Sequence, residues 1–118
     1  MGRALGEFEQ MVLYALLHLG DDAYGVSIRR TIESRAKRDV SPGAVYTTLE
    51  RLENRSLVCS RVARVTDERG TRERKYFELR PEGVLELKRS RDALAGMARG
   101  LGPTLAALAE QAAGQVGA

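Results

Sequence analysis

The segment Ser41-Pro42-Gly43-Ala44-Val45-Tyr46-Thr47-Thr48-Leu49-Glu50-Arg51-Leu52 limits what this chain can fold into more than any other. Its pattern predicts a helix. Ser41 suits the N-cap, where a hydroxyl accepts a hydrogen bond from a free backbone amide. Pro42 suits the first helical position, where its missing N–H costs nothing. Val45, Leu49 and Leu52 recur at helical spacing and so share a buried face. Gly43, Tyr46, Thr47, Glu50 and Asn54 are left outside, on a face that is polar and almost uncharged. A helix opening on small residues, then Tyr and Thr, can bring its N-terminal end close to a DNA groove, and its unpaired amides favour phosphate. An ordinary amphipathic helix accounts for these residues equally well.

The next segment separates the two readings. Leu57 to Val65 is rich in β-branched residues and predicts a strand; Thr66 to Gly70 is turn chemistry; Glu73 to Leu79 alternates as a second strand. In the second strand Phe77 and Leu79 share one face, while Arg72, Arg74 and Tyr76 share the other. A helix followed by a hairpin with a basic tip is the plan of a winged helix-turn-helix, in which the hairpin touches phosphates or the minor groove beside the reading helix.

Charge supports this locally and only mildly. Residues 1–40 carry six basic and six acidic side chains, 41–79 eight and six, and 80–118 five and four, giving a net charge of +3. Arg61, Arg64, Arg69, Arg72, Arg74 and Lys75 lie in or beside the hairpin against Asp67, Glu68 and Glu73. A charge run by itself usually marks a solvated face.

Leu16-Leu17-His18-Leu19-Gly20 with Ala23-Tyr24-Gly25, then Ser41 to Tyr46 with Leu49-Glu50-Arg51-Leu52, then Glu68-Arg69-Gly70 with Arg74-Lys75-Tyr76-Phe77, resembles the PadR family of transcriptional regulators. Pro81-Glu82-Gly83 fits the same order, so the resemblance runs from about Leu5 to Leu87. It implies a dimeric winged-helix repressor that leaves its operator when a small-molecule effector binds. Its partners would be double-stranded DNA and a second copy of the chain. The residues expected on DNA are Ser41, Pro42, Gly43, Tyr46, Thr47, Arg51, Arg69, Arg72, Arg74 and Lys75. Two-fold symmetry predicts an operator that is an inverted repeat.

Three departures bear on this. Ser56 stands where the family usually has Gly, at the left-handed position closing the reading helix, at a cost of about 1 kcal/mol. Arg80 stands where a Thr commonly caps the last helix. The chain has no Trp, so the flat tryptophan-lined drug pore of some relatives is not expected.

The layout predicted is mainly α with a small β-hairpin: a winged helix-turn-helix domain over 1–80 and a C-terminal dimerisation helix over 81–118. The first helix, about Glu7 to Leu19, has Phe8, Val12, Ala15, Leu16 and Leu19 on its core face. Met11, Leu13 and Leu17 make it apolar nearly all round and in need of further cover. Gly20-Asp21-Asp22 ends it and offers a cap for a second helix, Tyr24 to about Ala36. The last helix starts at Pro81 and carries Leu94, Met97, Leu101, Leu105 and Leu108 at heptad-like spacing, across a Gly102-Pro103 pair that kinks or breaks it. The stripe either packs back on its own domain or forms a dimer seam. The surplus surface on the first helix favours the seam.

At 118 residues the chain is one domain plus an extension. The apolar run from Met11 to Leu17 is too short to cross a bilayer and lacks a basic leader, so no membrane role is expected, and a single cysteine, Cys59, which cannot form an internal disulfide, makes the cytoplasm the default address. One His and one Cys cannot assemble a zinc site, and no phosphate loop, dinucleotide motif or nucleophile elbow is present. No catalytic residue, metal or cofactor is therefore assigned, and an enzyme is not expected. Cys59 reads either as a sensing thiol or as small packing in a strand. Two other functions fit a winged helix: a protein-contact module, which would carry apolar residues on the 43–54 face, and a small-molecule-binding dimer without operator affinity.

Overall fold

The computed structural model describes residues 4–117; the extreme ends of both expected units, residues 1–3 and 118, lie outside it. Among the described residues the order is α1 (Glu7–Leu19), a 3-10 turn (Gly20–Asp22), α2 (Gly25–Ala36), α3 (Pro42–Asn54), β1 (Val58–Asp67), β2 (Gly70–Leu79), α4 (Pro81–Ala98) and α5 (Gly102–Val116). The predicted class holds: a mainly helical chain with one antiparallel hairpin.

α1 is the hub. It packs against α2, α3, α4 and β2, and Val12 and Leu13 at its centre are fully buried. This corrects the expectation for Leu13, which lies in the domain's own core and so cannot belong to a dimer seam. The reason is that elements cover α1 on several sides, with Leu5 and Leu87 joining the same core cluster. Met11 is half-buried against that core, and Leu17 alone of the three stays open, at 59% exposure.

The helix ends follow local chemistry. The Glu9 carboxylate accepts from the Gly6 amide (2.8 Å) to start α1. At α2 neither Asp side chain caps. Instead the Ser27 hydroxyl accepts from the Tyr24 amide (2.9 Å) and donates to the Asp22 carbonyl (2.5 Å). α2 closes on Lys37 in the left-handed region (φ 57°), and the Glu33 carboxylate accepts from the Val40 amide (3.2 Å), which steadies the turn into α3. Ser41 caps α3 as predicted, accepting from the Ala44 amide at 3.1 Å, with Pro42 in first position.

α3 ends on paired reverse bonds: the Ser56 amide donates to the Glu53 carbonyl (2.9 Å) and the Leu57 amide to the Leu52 carbonyl (3.0 Å). Ser56 adopts φ 60°, the conformation expected for it. Leu57 keeps its side chain in the core. Its carbonyl accepts from the Arg80 amide (2.9 Å), and a Cβ on Gly83 would stand 2.1 Å from that oxygen. Only glycine lets α4 start so close to the wing. Arg80 occupies the α4 N-cap and, as expected, gives no side-chain cap.

The hairpin pairs Val58 with Leu79 through Asp67 with Gly70, longer than predicted because the turn is only Glu68-Arg69, with Gly70 at φ 101° behind it. Its base is buried at Val58 and Phe77, and a bridge between Tyr24 and Tyr76 ties it to the start of α2.

α4 leaves the core after Leu87, and every described residue from Arg91 onward is exposed. The helix breaks at Arg99-Gly100-Leu101, just ahead of the predicted pair, with Gly100 at φ 83°. The Cα radius of gyration is 17.6 Å against about 13 Å for a compact chain of this length. The excess is the projecting arm.

Two substitutions test this framework. Ser56→Gly should raise unfolding stability by about 1 kcal/mol by relieving the left-handed serine. Gly83→Ala should lower it by about 1–3 kcal/mol, because backbone must move to admit the methyl. Urea titrations of both variants read the two signs.

Candidate nucleic-acid interface

Along α3, Val45, Thr48, Leu49 and Leu52 are buried. Pro42, Gly43, Tyr46, Thr47, Glu50, Arg51 and Asn54 form the exposed face. Gly43 has open space where a side chain would be, so the first turn of α3 presents bare backbone. Thr47 stands free beside it.

Tyr46 lies on this outer face, with its hydroxyl end packed against the start of α2. A Cβ on Gly25 would sit 2.5 Å from the Tyr46 hydroxyl and 2.7 Å from its Cζ, so the hydroxyl end of the ring packs against that glycine. It is still 54% exposed, with its hydroxyl beside the first turn of α2. Gly25 was legible as part of a motif, but its role as a floor for Tyr46 needs the α2–α3 crossing.

The register sorts the hairpin side chains. Arg61 faces Tyr76, Ala63 faces Arg74 and Val65 faces Arg72 on one side. Ser60 faces Phe77, Val62 faces Lys75 and Arg64 faces Glu73 on the other. On the first side a ladder forms. The Arg61 guanidinium lies 4.5 Å from the Tyr76 ring centre and donates to the Asp21 carbonyl (3.3 Å). Tyr76 meets Tyr24 edge-on with ring centres 5.7 Å apart. Arg74 lies 3.9 Å over Tyr24 and donates to the Tyr76 hydroxyl (3.4 Å). Exposed cation–ring contacts contribute about 0.5–1 kcal/mol each. This ladder braces the wing against α2.

The predicted cations therefore differ in what they hold. Lys75 sits 3.6 Å from the Glu53 carboxylate and joins the wing to α3. Arg72 is engaged by both oxygens of Asp67 at 2.8 Å. Hydrogen bonds from Arg72 and from the Arg69 amide hold the Asp67 carboxyl down to about 2. Arg51, Arg64 and Arg69 are exposed and form no ion pair among the described residues. Sequence reading missed Tyr24, Gly25 and Asp67 as parts of this surface. The adjacent Tyr24-Gly25 pair and the spacing from Asp67 to Arg72 were the available signals.

Cys59 is half-buried with its Sγ 3.7 Å from a Glu78 carboxylate oxygen. Burial, then the Glu78 charge, push the thiol above its ordinary value, the opposite of an activated thiolate.

Two helices meeting through a tight turn, the second offering its polar N-terminal face beside a braced cationic hairpin, define a winged helix-turn-helix. The chain belongs to the PadR-like family of transcriptional regulators, whose family model matches residues 12–89. It is similar to a PadR family transcription regulator from hypervirulent Clostridium difficile R20291, at 23% identity and TM-score 0.70, over 85% of this chain and 99% of that one. A PadR-like transcription factor from Bacteroides fragilis is similar at 26% identity and TM-score 0.63, over 80% and 85%. Bacillus subtilis PadR, solved in complex with operator DNA, is similar at 19% identity and TM-score 0.59, over 70% of this chain and 45% of that one. No curated protein matches the chain. No helix among the described residues is long and apolar enough to cross a membrane.

Cys59 gives a direct check on the electrostatics. It should alkylate with iodoacetamide at pH 8.5 more slowly in the folded protein than in urea. The folded rate should keep rising at pH values where the unfolded rate has levelled off.

Proposed function

We propose that this protein is a dimeric, sequence-specific DNA-binding repressor in the cytoplasm, released from an inverted-repeat operator by a small-molecule effector. The single observation that carries the reading is the capped, side-chain-poor first turn of α3 lying beside a cationic wing. Bacillus subtilis PadR, a similar fold, was solved in complex with operator DNA. Ser41, Pro42 and Gly43 let the α3 backbone approach the duplex, and Thr47 meets base edges. Tyr46, held against Gly25 with its hydroxyl at the edge of the surface, suits a phosphate, as does the unpaired Arg51. A protein-contact module is disfavoured because Tyr46 is the one large ring on that face.

The dimer reading rests on the arm. Leu94, Met97, Leu101, Leu105 and Leu108 are each more than half exposed, at 63%, 78%, 53%, 67% and 56%. Leaving five large apolar side chains in water forgoes about 1.5–3 kcal/mol apiece. A second copy covering them, with Met11 and Leu17 at the edge, recovers much of that. The effector reading rests on a groove of about 660 Å³ between α1 and α4, where Leu5, Met11, Tyr14 and Leu94 meet. Because Met11 and Leu94 also belong to the proposed seam, a ligand there changes how the subunits sit and thus the spacing of the two reading helices.

Selection of bound duplexes from random DNA by the full-length protein should return an inverted repeat with half-site centres one helical turn, roughly 34–36 Å, or a multiple apart. A site without a dyad refutes the geometry. Thr47→Ala should narrow the gap between selected and random DNA by about 1–3 kcal/mol. Light scattering should show a dimer at micromolar concentration that Met97→Glu with Leu101→Glu dissociates.

A further inference from the structure

The wing tip is built around one carboxylate. Asp67 ends β1, and its Oδ1 accepts from the Arg69 amide and from Arg72 Nη1, both at 2.8 Å, while its Oδ2 accepts from Arg72 Nη2 at 2.8 Å. Behind it the Thr66 and Thr71 hydroxyls meet across the hairpin at 3.0 Å. An acidic side chain bonding the amide two residues on is a turn-forming arrangement, and a planar guanidinium gripping both of its oxygens removes most of the remaining freedom. The tip is therefore shaped before anything binds. Its two cations are unlike. Arg72 is neutralised by Asp67, whereas Arg69 has its backbone fixed by Asp67 and its guanidinium in solvent.

We infer that Asp67 is a positioning residue for DNA binding: it holds Arg72 as a structural clasp so that Arg69, not Arg72, is the cation the wing tip delivers to a phosphate. This rests on the DNA-binding reading above. The rival arrangement has Arg72 leave Asp67 for the phosphate. Exposed ion pairs are weak enough for that exchange. It would, however, strand an ionised Asp67 next to a polyanion, still tied to the Arg69 amide. Keeping the clasp avoids the like-charge contact and leaves a cation already aimed.

The two arrangements predict opposite signs. The full chain is titrated onto a labelled random-sequence duplex at several salt concentrations, as wild type, Arg69→Ala, Arg72→Ala, Asp67→Ala, Asp67→Ala/Arg69→Ala and Asp67→Ala/Arg72→Ala. Arg69→Ala should lower the salt slope by about 1 in the wild-type background and leave it unchanged in the Asp67→Ala background. Asp67→Ala and Arg72→Ala should each weaken binding about three- to tenfold, and the Asp67→Ala/Arg72→Ala variant should be no weaker than either. Loss for Asp67→Ala would come despite its extra positive charge, which alone would tighten binding. Melting temperatures matching wild type separate positioning from unfolding. Tighter binding by Asp67→Ala, with the slope loss carried by Arg72→Ala, overturns the inference. So does a tip at which no variant changes affinity while wild type binds. Wild type that binds no duplex even at low salt fails the DNA-binding reading itself.

Discussion

The backbone of Leu57 is the joint on which the arrangement depends. Its N–H closes α3 onto Leu52, and its C=O receives Arg80 at the threshold of α4, with Gly83 packed against the same oxygen. Within one peptide's length α3 ends, the wing begins and the arm departs. A buried backbone group without a partner costs about 1–3 kcal/mol, so neither bond can be released cheaply. The direction of the wing and of α4 relative to α3 is thus fixed by hydrogen bonding and by the missing side chain at Gly83. Ser56 carries part of the strain, since the reversal at the end of α3 needs a left-handed residue and this chain supplies one with a Cβ.

Local signals in the sequence proved reliable where the physics is local. The Ser41 cap, Pro42 at the first position, the left-handed Ser56, the uncapped Arg80 and the alternation in β2 involve neighbours within a few residues. Each is found where the chain indicated. Misreadings arose where the deciding partner is remote. Leu13 looked surplus because an isolated helix shows only one core face, whereas α1 is covered from several directions in the fold. The floor under Tyr46 went unread because Gly25 lies on another helix. Arg72 looked available because counting charges does not reveal which are paired. Asp67 stands only five residues away, but across a turn tighter than the one read.

The exposed arm makes a related point about apolar stripes. Spacing alone left open whether Leu94 to Leu108 packs inward or outward. The exposure of every described residue from Arg91 onward shows that it does not pack back on its own domain. A fifteen-residue helix with Glu110 as its one charged residue gains little from such exposure. Isolated helices of this length are marginal in water, so tertiary cover is what would keep α5 helical. In the proposed dimer the same burial would order the helix and join the subunits.

A net charge of only +3 is no obstacle to binding a polyanion, because DNA senses nearby charges far more than the total. At physiological salt the screening length is about 8 Å, so Glu82 and Glu86, in the part of α4 that starts at the hairpin's base, are largely invisible to a phosphate at its tip. The nearby field is that of Arg51, Arg64, Arg69 and the stacked Arg61 and Arg74, reduced by the exposed Glu50, Glu68 and Glu73 beside them. Lys75 and Arg72 are offset by Glu53 and Asp67. Neutralising some cations within the wing has a physical advantage over leaving all of them free. Unpaired cations on a two-stranded ribbon repel one another and splay it, and a splayed wing presents its contacts in many geometries. Pairing two of them and stacking two more on Tyr24 and Tyr76 lowers the local charge but fixes the positions of what remains. In DNA recognition, such fixed phosphate contacts set the register in which a reading helix meets the bases.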